Sequence, residues 1–133
     1  MTTIIPNSFW GAVLAVVVGC AAYAQSSERV RFATGNDNAA VEASVKGQGY
    51  LDYVLGASAG QTMAVSLSTD GTAYFNILPP GSEGEAIFIG STLGRDASVT
   101  LPSDGDYTIR VYLMGDDADS GRTVPFILSM TIM

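Results

Sequence analysis

Five aspartates form the densest collection of chemically useful side chains in this sequence. They stand in two groups, Asp104 with Asp106, and Asp116 with Asp117 and Asp119. Clustered carboxylates suit calcium, which takes about six to eight oxygen ligands from flexible loops. An EF-hand loop starting at Asp116 would have Ala118 at its third position and no glutamate at its twelfth. The spacing favours solvated turns, so we expect no metal site and keep the five aspartates only as weak calcium candidates.

The chain has few other groups for catalysis. A glycosidase needs two carboxylates held across a cleft, and a chain of 133 residues without a cleft-forming insertion offers no such frame. The lack of histidine excludes histidine general bases, Ser-His-Asp triads and histidine-ligated zinc. The single cysteine, Cys20, excludes an internal disulfide. We therefore predict a protein that is not an enzyme and that needs no cofactor.

Three tyrosines are candidates for contacts with a partner. Tyr50, Tyr53 and Tyr74 could present aromatic faces to a sugar or to a protein, because tyrosine anchors interfaces well. The alternative is that they are half-buried strand residues, and the sequence alone leaves both interpretations open.

The charge balance limits the class of partner. Six basic residues against thirteen acidic ones give a net charge of -7 and an isoelectric point near 4.1. This is the wrong sign for neutralising the phosphates of nucleic acid or of an anionic membrane. We expect no nucleic acid, whereas a basic protein partner agrees with the charge.

The N-terminus has the features of an export signal. Residues 9–22 are uncharged, and the run is shorter than the ~20 apolar residues that span a bilayer. Ala22-Tyr23-Ala24 supplies the small residues that signal peptidase requires, although no Lys or Arg precedes the apolar run. We predict a signal peptide at 1–24, cleavage between Ala24 and Gln25, and a periplasmic or secreted domain at 25–133.

The apolar run has two alternative interpretations. Val17-Val18-Gly19-Cys20 loosely matches a lipobox, in which a lipidated Cys20 would become the mature N-terminus and anchor the domain to a membrane. The other alternative is a buried helix, but the rest of the chain offers no complementary helical face. Membrane contact is therefore expected only if Cys20 is lipidated.

From Gln25 onward, apolar and polar residues alternate with the period of a β-strand. The clearest strands are predicted at Tyr107–Met114, Val124–Ile132 and Met63–Ser68. Weaker strands are predicted at Arg29–Ala33, Val41–Val45, Tyr50–Gly56, Tyr74–Leu78, Ala86–Ile89 and Ala97–Leu101. Pro125 suits an edge strand or a strand start. The spacing is typical of a sandwich or a small barrel, and we predict a single antiparallel β-sandwich of about eight to nine short strands.

Two segments, Lys46–Ser68 and Leu101–Ala118, resemble the periplasmic inhibitors of g-type lysozyme. The shared features are Lys46-Gly47, Tyr50, Tyr53, Ala57, Gly60-Gln61, the Val65–Ser68 alternation, Leu101-Pro102, Gly105, Tyr107, Arg110-Val111 and Asp117-Ala118. The resemblance implies a small secreted β-sandwich that blocks lysozyme by inserting a loop into the active-site groove.

The chain departs from the family at that loop. In the family, arginines flank an Asn-Asp-Ala core after the Arg-Val strand, whereas Gly115 and Asp119 stand in those places here. Arginine pairs bidentately with the carboxylates of a lysozyme cleft, while Asp119 would meet them as a like charge. Each buried pair lost could cost roughly 2–5 kcal/mol. The resemblance therefore predicts fold and location better than it predicts inhibition.

Two hypotheses for function remain open. In the first, the protein binds a basic secreted lysozyme or another cell-wall hydrolase through residues 114–122. Its contact residues would be Tyr50, Tyr53, Gly115, Asp116, Asp117 and Asp119. In the second, it is a structural or ligand-binding module, for calcium or glycan, without inhibitor activity.

Overall fold

The computed structural model describes residues 25–133. The predicted signal peptide at 1–24, with its cleavage site after Ala24, and the alternative lipidation at Cys20 lie outside the described residues. Within the described part, nine strands and two single-turn helices follow one another along the chain. Their bounds are β1 Gln25–Arg29, β2 Asn38–Lys46, β3 Tyr50–Ala57, β4 Thr62–Thr69, β5 Ala73–Leu78, β6 Phe88–Ile89, α1 Gly90–Leu93, β7 Asp96–Thr100, β8 Gly105–Leu113, α2 Gly115–Asp119 and β9 Thr123–Ile132.

The strands form two sheets that enclose one hydrophobic core. One sheet has four strands in the order β2-β9-β4-β7, and the other has five in the order β1-β3-β8-β5-β6. Between residues 25 and 133, the strand pairs are antiparallel except β1 with β3, which is parallel. The predicted all-β sandwich is therefore confirmed, with one parallel pair at its edge.

The period-two alternation explains which side of each strand is buried. On β8, Tyr107, Ile109 and Val111 are fully buried, while Thr108 and Arg110 lie on the outer face. Strand β9 repeats the pattern with buried Val124, Phe126, Leu128, Met130 and Ile132. Burying each large apolar side chain contributes about 1.5–3 kcal/mol, so this alternation sets the register of the sandwich.

Pro125 lies at the start of a central strand. The ladder between β9 and β4 begins at Phe126, one residue after the proline. The Thr69 hydroxyl donates to the carbonyl oxygen of Pro125 at 2.9 Å. Because the β4 ladder has not yet begun at Pro125, the missing amide removes no hydrogen bond from it. Of the two expectations for this proline, a strand start is correct and an edge strand is wrong.

The first strand lies earlier than predicted. The sequence predicts a strand at Arg29–Ala33, whereas β1 ends at Arg29 and all five of its side chains are exposed. No hydrophobic alternation marks such a strand. It is held by parallel pairing with β3, from Gln25 opposite Tyr50 to Arg29 opposite Val54. Backbone pairing of this kind leaves no pattern in the sequence.

Helices α1 and α2 were not predicted. They contain four and five residues, too few to show a helical period in the sequence. Helix α2 lies within residues 114–122, where the sequence predicts a solvated loop, and the strand predicted at Ala86–Ile89 is reduced to the two residues of β6. In the described part of the chain, no helix is long and apolar enough to cross a membrane.

Candidate functional site

The structure places the two groups of aspartates at opposite ends of the sandwich. Asp104 and Asp106 lie at the start of β8, and residues 115–119 follow its end. Nine residues of extended strand span roughly 25–30 Å. We call the end with residues 114–122 the loop end and the end with Asp104 the far end. Across residues 25–133, no three His, Cys, Asp or Glu side chains form a group that could hold a metal ion. The five calcium candidates are therefore not brought together.

The far-end aspartates are engaged in local contacts. The Ala59 amide donates to Asp104 Oδ1 at 2.7 Å. Arg29 donates to both oxygens of Asp106, at 3.0 and 2.8 Å, and this hydrogen-bonded cation lowers the pKa of the Asp106 carboxyl. The Asp106 side chain remains 55% exposed. These contacts hold neighbouring strands and loops together.

Asp117 holds residues 114–122 in place, and we call these residues the binding loop after the first of the two hypotheses for function. It is 7% exposed, and its Oδ2 accepts hydrogen bonds from the Thr72 amide and hydroxyl at 2.8 and 2.9 Å. Arg122 donates to its Oδ1 at 2.9 Å. The bonds from Thr72, helped by the charge of Arg122, lower the pKa of Asp117. This carboxylate is an anchor inside the loop, and its oxygens are not free for a partner.

A glycine allows the anchor to approach the neighbouring turn. A Cβ atom at Gly71 would lie 2.9 Å from Asp117 Oδ2 and 2.7 Å from a methyl carbon of Val124. Such distances are too short for real contacts, so a side chain at Gly71 would push the carboxylate away from Thr72. Glycine at this position therefore allows the β4–β5 turn and the binding loop to pack this closely.

The tip of the binding loop is narrow and exposed. Gly115, Asp116 and Asp119 are exposed, and α2 is closed by a hydrogen bond from the Ser120 amide to the Asp116 carbonyl at 2.8 Å. Gly115 has a φ of 60°, which glycine adopts without strain. A Cβ atom at Gly115 would meet nothing within 4 Å. The tip is thus a rigid turn of small bulk with two carboxylates.

Tyr50 lies at the same end as the binding loop. Gln48 Nε2 donates to Asp119 Oδ1 at 3.2 Å, and the Gly47 amide donates to the Arg122 carbonyl at 2.9 Å. These two bonds join the β2–β3 turn to the binding loop, and β3 begins at Tyr50. Of the predicted contact residues, Tyr50, Gly115, Asp116 and Asp119 are therefore accessible at the loop end.

Tyr53 belongs to the core, which corrects its interpretation as a contact residue. Its side chain is 3% exposed and packs edge to face against Phe126, with ring centroids 6.4 Å apart. Burial raises the pKa of its hydroxyl. Because β3 alternates inward and outward positions, Tyr50 and Tyr53 lie on opposite faces of the sheet.

Arg110 lies beside Tyr50 and is not among the predicted contact residues. Its guanidinium donates to both oxygens of Asp52, at 2.8 and 3.0 Å, and lies 4.1 Å from the centroid of the Tyr50 ring. The hydrogen bonds to Asp52 raise the pKa of Arg110. Its place on the polar face of β8 is visible in the sequence, but its partners on β3 are not.

Tyr112 is also not among the predicted contact residues. It forms an aromatic row with Tyr50 and Tyr74. It lies directly opposite Tyr50 on β3 and opposite Tyr74 on β5. All three rings are half-buried on the outer face of the five-stranded sheet. We call Tyr50, Tyr112 and Tyr74 the tyrosine row. Tyr74 is thus a half-buried strand residue whose ring also forms part of the surface.

An open cleft of about 690 Å³ is lined by residues of both the β4–β5 turn and the binding loop. Arg95, Asp116 and Arg122 are among its lining residues. Arg95 donates to the carbonyl oxygens of Gly71 and Ala73 at 2.7 and 3.0 Å. The loop end therefore combines a narrow acidic tip, a cleft with two arginines and a row of tyrosines.

Comparison with known proteins identifies several similar chains, although no model of a protein family matches the sequence. The inhibitor of g-type lysozyme from Escherichia coli K12 is 25% identical over 122 residues, which cover 90% of this chain and 91% of that protein.

Solved structures give a stronger similarity. The crystal structure of Aeromonas hydrophila PliG, a periplasmic lysozyme inhibitor of g-type lysozyme, is 34% identical in sequence with a TM-score of 0.76. The aligned part covers 82% of this chain and 97% of that one. Salmonella Typhimurium PliG, at 23% identity and a TM-score of 0.66 over 81% of this chain and 98% of its own, supports the fold alone.

Proposed function

Because this chain belongs to the family of periplasmic inhibitors of g-type lysozyme, we propose that it is exported to the periplasm and binds a lysozyme through the binding loop. The family is established by 34% identity over nearly the whole of a characterised member. The loop tip, with Gly115, Asp116 and Asp119, enters the active-site groove of the enzyme, and Tyr50 contacts its rim.

The anchoring of the loop by Asp117 is the observation that carries this proposal. Three hydrogen bonds to its carboxylate hold the loop in one conformation before any partner arrives. Ordering a flexible side chain on binding costs about 0.5–1.5 kcal/mol, and a loop that is already ordered avoids much of that cost. A fixed, narrow and exposed tip is the shape that a groove can receive.

The charge of the protein supports a basic partner. All charged residues lie within 25–133, so the exported protein carries the full net charge of -7. A field of this size attracts a cationic lysozyme and raises the association rate, and salt screens that attraction beyond about 10 Å at 0.1 M. Binding should therefore be faster at low salt than at high salt.

The protein acts by binding and not by catalysis. Asp117 and Asp106 are held by hydrogen bonds from Thr72, Arg122 and Arg29, and the two ends that carry them are a strand length apart. Glycoside hydrolysis requires an acid and a base carboxylate that face each other across the scissile bond, and Asp106 and Asp117 are not placed in this way.

Residual enzyme activity tests this function. Protein purified from the periplasm would be added in increasing amounts to a g-type lysozyme, at low and at high salt, with c-type and i-type enzymes in parallel. We expect saturable inhibition of the g-type enzyme and a slower onset at high salt. The far-end variant Asp104→Ala should inhibit as well as the wild type. An unaffected g-type enzyme at a several-fold molar excess would refute the proposal.

The processing of the N-terminus is a separate part of the proposal. Cleavage after Ala24 would give a mature chain that begins at Gln25, at the first residue of β1. The intact mass of the exported protein measures this directly. A mass matching residues 25–133 supports the signal peptide, whereas an acylated chain starting at Cys20 would replace it with a membrane anchor.

A further inference from the structure

The tyrosine row borders the binding loop along two strands. Tyr112 lies two residues before Met114, the first residue of the loop, and therefore on the same face of the extended chain. Tyr74 lies two residues after Thr72. The Thr72 hydroxyl lies 2.9 Å from Asp117 Oδ2 and 2.6 Å from the Met114 carbonyl oxygen, and it shares its single proton between these two acceptors. The outer face of β5 and β8 is therefore continuous with the loop end.

The side chains of this surface are held in place. The Tyr112 hydroxyl donates to Asn76 Oδ1 at 2.7 Å and accepts from the Ser91 amide at 3.3 Å. The ring of Tyr74 lies beside that of Tyr112, with centroids 6.5 Å apart, and the Arg95 guanidinium lies 4.8 Å from the Tyr74 centroid. A partner therefore meets side chains that are already ordered, which lowers the entropy cost of binding.

The outer face of the other sheet is different in kind. Its exposed positions include Ser44, Ser66, Ser68 and Ser129, with Ile127 as a large apolar side chain that is 42% exposed. Tyrosine and arginine are enriched among the residues that dominate binding energy at protein interfaces, and serine is depleted. The five-stranded sheet is therefore the face suited to a protein partner.

We propose that the surface contacted by the lysozyme extends from the binding loop onto Tyr74, Tyr112 and Arg95. This proposal rests on the function proposed above and names a second part of the same interface. The tyrosines cover apolar area beside the groove. Arg95 is among the residues that line the cleft next to the loop, and its positive charge complements a partner whose groove carries catalytic carboxylates.

Substitution of Tyr74 tests the extension. Tyr74→Ala should weaken inhibition of the g-type lysozyme by at least about tenfold, the effect of removing an interface anchor. Tyr74→Phe keeps the ring and should retain most of the inhibition. Ile127→Ala, which removes a large exposed side chain from the other sheet, is the control and should inhibit like the wild type. The melting temperature of each variant shows that it is folded.

Hydroxyl-radical footprinting of the wild-type protein gives a second measurement that needs no variant. Oxidation of Tyr74 and Tyr112 should fall when the g-type lysozyme is bound, and oxidation of Ile127 should not. If the wild type inhibits but Tyr74 stays fully oxidised in the complex and Tyr74→Ala inhibits normally, the extension is wrong and the loop interface stands. If the wild type does not inhibit, the proposed function itself fails and the extension fails with it.

Discussion

The two ends of the sandwich both carry acidic turns, yet each is organised by a different buried group. At the loop end, the carboxylate of Asp117 receives the Thr72 and Arg122 donors. At the far end, the buried hydroxyl of Tyr107 donates to the Ser103 carbonyl at 2.7 Å and accepts from the Ser103 amide at 3.2 Å. The aspartates of the far end are exposed, and they accept hydrogen bonds from the Ala59 amide and from Arg29.

This difference shows that burial, and not residue type, decides what an aspartate does here. A buried carboxylate must be satisfied by donors from its surroundings, so Asp117 draws the β4–β5 turn and the binding loop into one unit. Exposed carboxylates such as Asp104 exchange protein donors for water at little cost. Only the loop end gains a fixed surface from its acidic residues.

The largest effect is expected when the loop-end anchor is removed. Asp117→Ala leaves the Thr72 amide without its acceptor, so the loop should lose its conformation, and inhibition of g-type lysozyme should fall by more than about tenfold. The melting temperature should drop by several degrees. Asp104→Ala, which removes an exposed carboxylate from the far end, should change neither quantity. Equal effects of the two substitutions would contradict the contrast between the ends.

Adding arginines to the loop tip sharpens the same comparison. Asp119→Arg removes a negative charge that repels the lysozyme carboxylates and supplies a guanidinium that can pair with them through two hydrogen bonds. Inhibition should therefore strengthen by about tenfold. Adding Gly115→Arg should give a smaller further gain, because a φ of 60° costs a side chain roughly 1–2 kcal/mol. Arginine at Asp104 on the far end is the control. No gain from either tip substitution would show that the tip does not reach the enzyme.

The far-end anchor should affect stability without affecting inhibition. Tyr107→Phe removes the buried hydroxyl and leaves the Ser103 amide and carbonyl without it, which should cost about 1–2 kcal/mol. Chemical denaturation measures this cost, and the inhibition assay should give the wild-type result below the unfolding temperature. A loss of inhibition would mean that the two ends are coupled through β8.

The smallest effect is a dependence of stability on acid. The pKa of Asp117 lies below its ordinary value of 3.8 in the folded protein. Its contribution is therefore complete at neutral pH and is lost as the pH falls from that value through the folded pKa. Thermal unfolding measured from neutral to acid pH should show that the melting temperature of Asp117→Asn falls less with acid than that of the wild type.

The far end supplies the control for that measurement. The pKa of Asp106 is lowered in the same direction by Arg29, but the pair is exposed and screened by water and salt. Asp106→Asn should therefore change the acid dependence less than Asp117→Asn. A larger change for Asp106 would place the main acid-sensitive contact at the far end.

The strands of the core could be predicted from the sequence because their pattern is local. On β8, the alternation from Tyr107 to Leu113 determines which side chains are buried, whatever strands lie beside it. The exposed strand β1 could not be placed, since its position depends on pairing with β3 and not on its own side chains. Helix α2 could not be predicted either, because five residues are too few to show the helical repeat of apolar side chains.

The candidate site was only partly predictable. Residues 114–122 and Tyr50 were recognised by type and by family resemblance, and both lie at the loop end. Tyr50 and Tyr53 are the same residue type on one strand, and only the packing of β3 shows that the Tyr50 ring is half-buried on the outer face while the Tyr53 ring is buried in the core. Arg95 and Tyr112 join the surface through neighbours on other strands, which no local motif indicates.

By itself, the sequence determined the charge of the protein, the lack of histidine chemistry and the period-two core, and it predicted residues 114–122 as the contact segment. Only the tertiary structure decided that Asp117 is the anchor while its neighbour Asp116 is exposed. The donor that distinguishes them, Thr72, stands 45 residues away. Alternation is a property of a few consecutive residues, whereas the burial of one carboxylate depends on which distant backbone amide the folded chain brings within hydrogen-bond distance.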